Sequence, residues 1–357
     1  MQVFVSEYVC GGGWPDPNLP HSLEREGLAM LRAILSDFAR IPDCHVVTTL
    51  DHRRPDLNID GVRVVRVADA IQEQQQFRDL AVQSNVCLVI APELGNVLYD
   101  RCVLAREAGA TCVLNPVSET IRQCSDKLEL ARFLNANDIL TIDTSLIGEK
   151  CPLSVEDGPV VVKPRYGAGS QDVRTFPNVA AAMEHHAASP KHEFDEMIVQ
   201  PLVRGTAVSV GVICQPQAHA YEILPIAKQC LSNDGTFAYE GGRIPFAGDH
   251  DAAIRRMVEF VCSRLQGLAG YIGFDLVIPD ESPQQPLIVE INPRLTTSYL
   301  GYRCLTPDNL ASRMLDLSSP ATPIRWTSNT VEFTPDGEIT RLHNFISKSL
   351  TAAEVLQ

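Results

Sequence analysis

The first third of the chain alternates short apolar runs with longer amphipathic stretches. Gln2 to Val5 reads as a strand, Ser22 to Ala39 as an amphipathic helix, and Cys44 to Thr49 and Val62 to Val67 as two more strands. A helix over Ala70 to Ser84 leads into the apolar run Val86 to Ala91, and Leu98 to Ala108 leads into a further strand, Thr111 to Leu114. Strands alternating with helices in this way predict an α/β unit with a parallel sheet, because parallel neighbours need long crossovers. Asn115-Pro116 marks its end.

Beyond Pro116 the texture changes. Asp126 followed by Glu129 resembles a capping box, and Leu130, Ala131 and Leu134 then recur at helical spacing. From Pro159 onward, short β runs (Val160 to Lys163, Met197 to Gln200, Val208 to Cys214) alternate with turns, which predicts an α+β region. A helix over Ala252 to Gln266 precedes two strands, Gly273 to Pro279 and Pro286 to Asn292. The expected division is 1–117, 118–196, 197–318, and an appendage over 319–357.

At 357 residues and 45% hydrophobic content the chain exceeds one ordinary core, so two or three packed domains are expected. Its formal charge of -14 would repel a polyanionic backbone, which excludes nucleic acid as a partner. A small anion such as ATP remains compatible, since a few placed lysines and metal ions can meet its charge. Met1 to Trp14 lacks a basic start and a long apolar core, and nowhere do about 18 apolar residues run together, so the expectation is a soluble cytoplasmic protein without a membrane segment. The eleven cysteines are scattered without a C-x-x-C pair and read as buried reduced thiols.

Chemistry concentrates in three places. In Gly273-Phe274-Asp275-Leu276-Val277 and Leu287-Ile288-Val289-Glu290-Ile291-Asn292-Pro293-Arg294, strand alternation puts Glu290 and Asn292 on one face. If Asp280 to Gln285 forms the hairpin loop, an antiparallel register can set Asp275 opposite Glu290. Paired carboxylates repel unless a cation sits between them, and hard oxygens suit Mg2+ or Mn2+. The alternative is a pair of solvent-facing acids on a sheet edge, against which stand the apolar residues around both.

The second place is Val160-Val161-Val162-Lys163 with the turn Pro164 to Ser170. A strand-end lysine can reach a phosphate that a glycine turn (Gly167, Gly169, Ser170) approaches with its backbone N–H groups. An ordinary hairpin is the competing reading. No Walker loop occurs, and Gly11-Gly12-Gly13 does not complete a dinucleotide fingerprint. The third place is Lys127, in the first turn of a helix where the dipole disfavours a cation. An anion it serves would explain it, and so would an ordinary surface position.

Taken in order, Lys127, Lys163, the Gly167 to Ser170 loop, the hinge strand Ile198 to Val203, Asp275, Glu290, Asn292 and Arg294 resemble the ATP-grasp superfamily over roughly Ser118 to Ser312. The resemblance implies an ATP-grasp fold with an N-terminal Rossmann-like, pre-ATP-grasp domain. It implies that Lys127 and Lys163 contact ATP phosphates, that the hinge backbone near Gln200 and Leu202 holds adenine, that Asp275, Glu290 and Asn292 bind Mg2+ or Mn2+, and that Arg294 steadies an acyl phosphate. One position departs from the pattern: Ala207 stands where many relatives carry a ribose-binding glutamate. A narrower resemblance, to the tyramine–glutamate ligases of methanofuran biosynthesis, rests on Ser6-Glu7-Tyr8 with Gly11 to Gly13, on Glu26-Gly27-Leu28-Ala29-Met30, and on Tyr239 to Pro245.

The implied reaction is ATP-dependent amide formation from a small carboxylate and an amine, in a chain that could form a homodimer. Other ATP-grasp chemistry, such as bicarbonate activation or another amino-acid ligation, and a nucleotide-binding regulator without turnover are the alternatives.

Overall fold

The structure is a computed structural model and describes residues 1–16, 18–148, 158–188, 196–216, 220–315 and 322–344, with side chains to 340. The N-terminal unit contains strands β1 (Gln2–Glu7), β2 (His45–Asp51), β3 (Val62–Val67) and β4 (Val86–Ile90), all parallel, in the order β3-β2-β1-β4. Helix α1 (His21–Ala39) covers one face, and α2 (Ala70–Gln83) and α3 (Val97–Ala108) cover the other. Successive β1 side chains therefore enter different cores: Val3 and Val5 pack with Ile34 and Phe38 of α1, and Phe4 packs with Phe77 and Leu98. That two-sided burial is why the strands read as unbroken apolar runs.

The strand expected over Thr111 to Leu114 is not formed and is reduced to one bridge, Cys87 with Val113. The reason lies in Asn115. Its side chain accepts from the Val89 N–H and donates to the Val89 carbonyl, both at 2.9 Å, satisfying groups that a longer fifth strand would have paired.

Helices α4 (Ser118–Ser125) and α5 (Lys127–Ala136) follow. A small antiparallel sheet then joins β5 (Ser145–Leu146), β6 (Val160–Pro164), β7 (Arg174–Phe176) and β8 (Met197–Pro201) in the order β5-β8-β6-β7, with α6 (Val179–Ala188) packed on it through Ala182. The division set at 197 thus falls beside β8, which pairs directly with β6.

The largest sheet holds β9 (Gly205–Gln215), β10 (Ala220–Ile223), β11 (Ala227–Leu231), β12 (Tyr239–Ile244), β13 (Gly270–Pro279), β14 (Leu287–Asn292), β15 (Asn329–Phe333) and β16 (Ile339–Asn344). Its order is β14-β13-β9-β11-β12-β15-β16, with β10 on β9. Helix α7 (Asp251–Arg264) covers one face. The other face shares a core with α1 and with the short helices α8 (Ser298–Tyr302) and α9 (Leu310–Met314). Buried Asp37 of α1 locks the units together, accepting from Tyr299 Oη at 2.6 Å and pairing with Arg303 at 2.7 Å. The stretch from 319, set apart by its weak pattern, supplies β15 to the large sheet beside β12; residues 345–357 lie outside the described set. Among the described residues no helix is long and apolar enough to cross a membrane.

Candidate active site

A cleft of about 850 Å³ opens between the two antiparallel sheets. One wall carries Lys163 on β6 and the Gly167 to Ser170 turn; the other carries Asp275 on β13, Glu290 on β14, and Ala207 on β9. The β13–β14 hairpin sets Asp275 directly opposite Glu290 and Gly273 opposite Asn292, with a register shift just after Asp275. Asn292 Nδ2 donates to Asp275 Oδ2 at 2.8 Å, and Gln229 Nε2 donates to Oδ1 at 2.8 Å. Burial and the facing Glu290 push Asp275 up to about 7. Burial works against ionised Glu290 too, but Lys127, Lys163 and Arg294 outweigh it and hold that carboxyl below its ordinary value.

The two lysines face these acids although they come from different elements. Lys127 opens α5, buried to 8% exposure; its Nζ donates to the Gly167 carbonyl at 2.8 Å and lies 3.6 Å from Glu290 Oε2. Lys163 is 7% exposed, and burial, with Lys127 adding to it, pulls its ammonium down to about 8 while Glu290 and Asp275 oppose. Asp126 explains how a helix start and a strand end come together. Its carboxylate caps Leu128 and Glu129 N–H groups and takes a two-pronged bond from Arg165 (2.8 and 2.6 Å) and one from Tyr166 Oη at 2.9 Å. The capping box is half realised, because Glu129 turns to Arg132 instead of back to Asp126.

The glycine turn leans on two other elements. Gly169 adopts φ +70, where a side chain would be strained, and Leu23 of α1 stands 3.1 Å from its missing Cβ. Ala168 packs with Val9 and Leu23, and Ser170 Oγ donates to the Phe237 carbonyl at 2.8 Å. At the opposite end of the cleft, Gln200 and Leu202 line the hinge. There the Leu202 N–H donates to the Pro159 carbonyl at 2.8 Å, and the Gln200 side chain is turned to Thr144 Oγ1.

Asn292 and Arg294 stand behind the cleft lining; Arg294 forms a two-pronged pair with Glu93, at 2.9 and 2.8 Å, at the carboxyl end of the N-terminal sheet. Around it gather further carboxyls whose chemistry the sequence pattern did not disclose. Glu7, buried at the end of β1, is pushed up to about 7 by burial despite its hydrogen bonds to Cys10 and Val9 and the pull of Arg294. Glu26 of α1 is likewise pushed up to about 7 by burial, with Arg294 and Arg25 opposing, and it forms no hydrogen bond or salt bridge among the described residues. The signal was available, because ligand sites of open parallel sheets lie at the strand carboxyl ends, where Glu7 and Glu93 stand. Gly11 to Gly13 form a buried wide turn packed against Thr49, Val67 and the Tyr8 ring, which leaves no room for side chains.

The donor set Asp275, Glu290 and Asn292 fits a hard dication chemically. Asp275 is raised by desolvation first and by the facing Glu290 second, and the repulsion between the two carboxylates is what such an ion would relieve. Among the described residues no group of three His, Cys, Asp or Glu could hold a metal.

Comparison with known proteins agrees with this architecture. Residues 124–298 match the ATP-grasp domain and residues 44–121 the pre-ATP-grasp 3 domain. A tyramine–L-glutamate ligase from Methanocaldococcus fervens is 23% identical over 316 residues, covering 88% of this chain and 92% of the relative. Among solved structures, an ATP-grasp superfamily protein from Archaeoglobus fulgidus superposes with a TM-score of 0.67 at 23% identity, over 93% of this chain and 92% of the other. An L-amino acid ligase from Bacillus licheniformis gives 0.67 at 14% identity, over 93% and 78%. With a parallel N-terminal sheet, two antiparallel sheets enclosing a cleft, and both domain matches in this order, the chain belongs to the ATP-grasp superfamily.

Proposed function

We propose that this ATP-dependent carboxylate–amine ligase joins glutamate to tyramine or a similar arylalkylamine. The observation that carries the reading is the facing of two buried lysines and two half-buried acids across one cleft, with Lys127 Nζ 3.6 Å from Glu290. Substrate identity draws support from the ligase relative that aligns with nearly the whole chain.

Bringing a carboxylate to ATP sets anion against anion, so placed charge and alignment carry the rate. Lys127 and Lys163, which line the cleft, would meet the phosphates, and the backbone of Gly167 to Ser170 would close over them. Asp275, Glu290 and Asn292 would hold Mg2+ or Mn2+, which when bound neutralises phosphate charge and polarises the transferred phosphoryl group. The carboxylate oxygen bonds to the γ-phosphorus as ADP leaves; the amine nitrogen then bonds to the acyl carbon as phosphate leaves, losing its extra protons on the way.

The amine must shed a proton to attack the acyl carbon. Glu26 is suited to receive it, since Arg294 and Tyr239 both feel its charge, Tyr239 also feels Asp275, and its carboxyl accepts a proton near neutral pH. The Gly169 turn resting on Leu23, three residues before Glu26 on α1, shields the acyl phosphate from water.

The test is to incubate pure protein with ATP, Mg2+, glutamate and a panel of amines, measuring ADP and the amide by mass spectrometry. Amide formed with an arylalkylamine is expected; ADP release indifferent to every acid–amine pair would overturn the proposal.

A further inference from the structure

Gln229 sits on β11, two strands from Asp275 on β13, with β9 between them. Ser209 of β9 is in register with Asp275 on one side and with Ala227 on the other. Residues two apart along a strand share a face, so Gln229 projects from the same face as Asp275, one step farther toward the hinge. Its Nε2 nevertheless reaches Asp275 Oδ1 at 2.8 Å. Neighbouring strands are about 4.8 Å apart, so the side chain crosses the full width of β9. Small residues leave that path open: Ala207 has only a methyl group, and Ser209 Oγ is engaged with Ser298 Oγ at 2.8 Å.

The amide has a second end. Among the described residues Gln229 Oε1 accepts no hydrogen bond, and Gln229 lines the cleft beside Ala207 and Val277. This stretch lies between the hinge, at Gln200 and Leu202, and the acid–lysine centre. A nucleotide with its base at the hinge and its phosphates at the lysines must lay its sugar here, where Ala207 and Val277 offer no side-chain acceptor. A lone carbonyl oxygen in that position selects a hydroxyl donor.

We propose that Gln229 is a nucleotide-positioning residue whose Nε2 holds the Asp275 carboxylate while its Oε1 accepts a ribose hydroxyl, so that one amide links the sugar to the acid centre. The assignment rests on ATP occupying this cleft. With Asn292 on Oδ2 and Gln229 on Oδ1, both Asp275 oxygens are held in place before any ligand arrives. Ribose binding would then brace Gln229, and Gln229 would brace Asp275.

The test is the affinity of the full chain for ADP, 2′-deoxy-ADP and 3′-deoxy-ADP by calorimetry in EDTA, alongside Mn2+ binding by electron paramagnetic resonance. The native chain is expected to prefer ADP over one of the deoxy analogues by roughly three- to tenfold, the worth of one hydrogen bond. Gln229→Leu should erase that preference and weaken Mn2+ binding in the presence of ADP. Gln229→Glu, which keeps an acceptor and loses the donor to Asp275, should retain the preference. A preference unchanged in Gln229→Leu, or absent from the native chain, overturns the assignment while leaving ATP dependence intact. Failure of the native chain to bind ADP at all would remove the ATP reading itself.

Discussion

The carboxylate of Glu7 lies against the backbone of Gly27, its Oε1 2.7 Å from where any side chain at 27 would begin. Its other oxygen accepts from the Cys10 N–H at 2.5 Å. Two stretches that look like separate signatures in the sequence, Glu7-Tyr8 and Glu26-Gly27, are therefore two sides of one contact between β1 and α1. Glycine is required there for space, not for an unusual backbone angle.

Gly27→Ala is accordingly expected to destabilise the fold by about 1–3 kcal/mol, the usual penalty for overpacking. Pairing it with Glu7→Ala should give less than the sum of the two effects, since each change relieves the other. Urea unfolding of the two single variants and the double variant measures this; strict additivity would mean that the contact is not energetic.

Asp275→Asn with Glu290→Gln is expected to lower turnover by on the order of 100-fold or more, because the charge facing Lys127 and Lys163 disappears. Asp275→Asn alone should stabilise the ligand-free protein at neutral pH. An acid whose folded pKa is raised to about 7 is penalised when ionised, so the penalty grows as pH rises from 3.8 toward 7 and is full above it. The variant's gain over the native chain should thus be small near pH 4 and largest above pH 7. Thermal melts across that range provide the check, and a pH-independent difference would count against the raised carboxyl.

Nucleotide binding should take up protons at alkaline pH. Burial and Lys127 lower Lys163 to about 8, so above that value the free protein holds it increasingly as a neutral amine, whereas bound phosphate favours the ammonium. ADP affinity is expected to fall above pH 8, and calorimetry in buffers of different ionisation enthalpy should show uptake of a fractional proton. Lys163→Arg, which keeps its charge, should flatten the profile. An affinity constant from pH 7 to 10 in the native chain would contradict this.

Glu26→Gln is expected to lower kcat at least tenfold with KM for ATP unchanged, because the amide cannot take the proton of the amine. Because burial lifts Glu26 from 4.5 to about 7, its ionised form disfavours folding above pH 4.5, most fully above 7. The variant should therefore be more stable than the native chain at pH 8 and equal to it at pH 4. Equal kcat values in the two proteins would remove Glu26 as the acceptor of that proton.

Local pattern alone determined a good deal of this protein. The parallel strands of the N-terminal unit, the length of α1, the Lys127 start of α5 and the β13–β14 hairpin follow from periodicity and short connections, because those features depend on residues near one another in the chain. Even the confrontation of Asp275 with Glu290 is local, since a hairpin sets its own register. The narrowing of the fifth strand to one bridge was not legible, because it turns on a side chain, Asn115, competing for backbone bonds.

Only the tertiary structure decided what surrounds the reacting centre. Arg294 meets Glu93 across 201 residues, Lys127 latches Gly167 across 40, and Gln229 reaches Asp275 over a strand that neither belongs to. Such pairs arise where distant elements pack, and local spacing carries no record of which faces will meet. The same holds for the carboxyls raised to about 7: an isolated Glu7 or Glu26 is an ordinary acid until packing takes away its water.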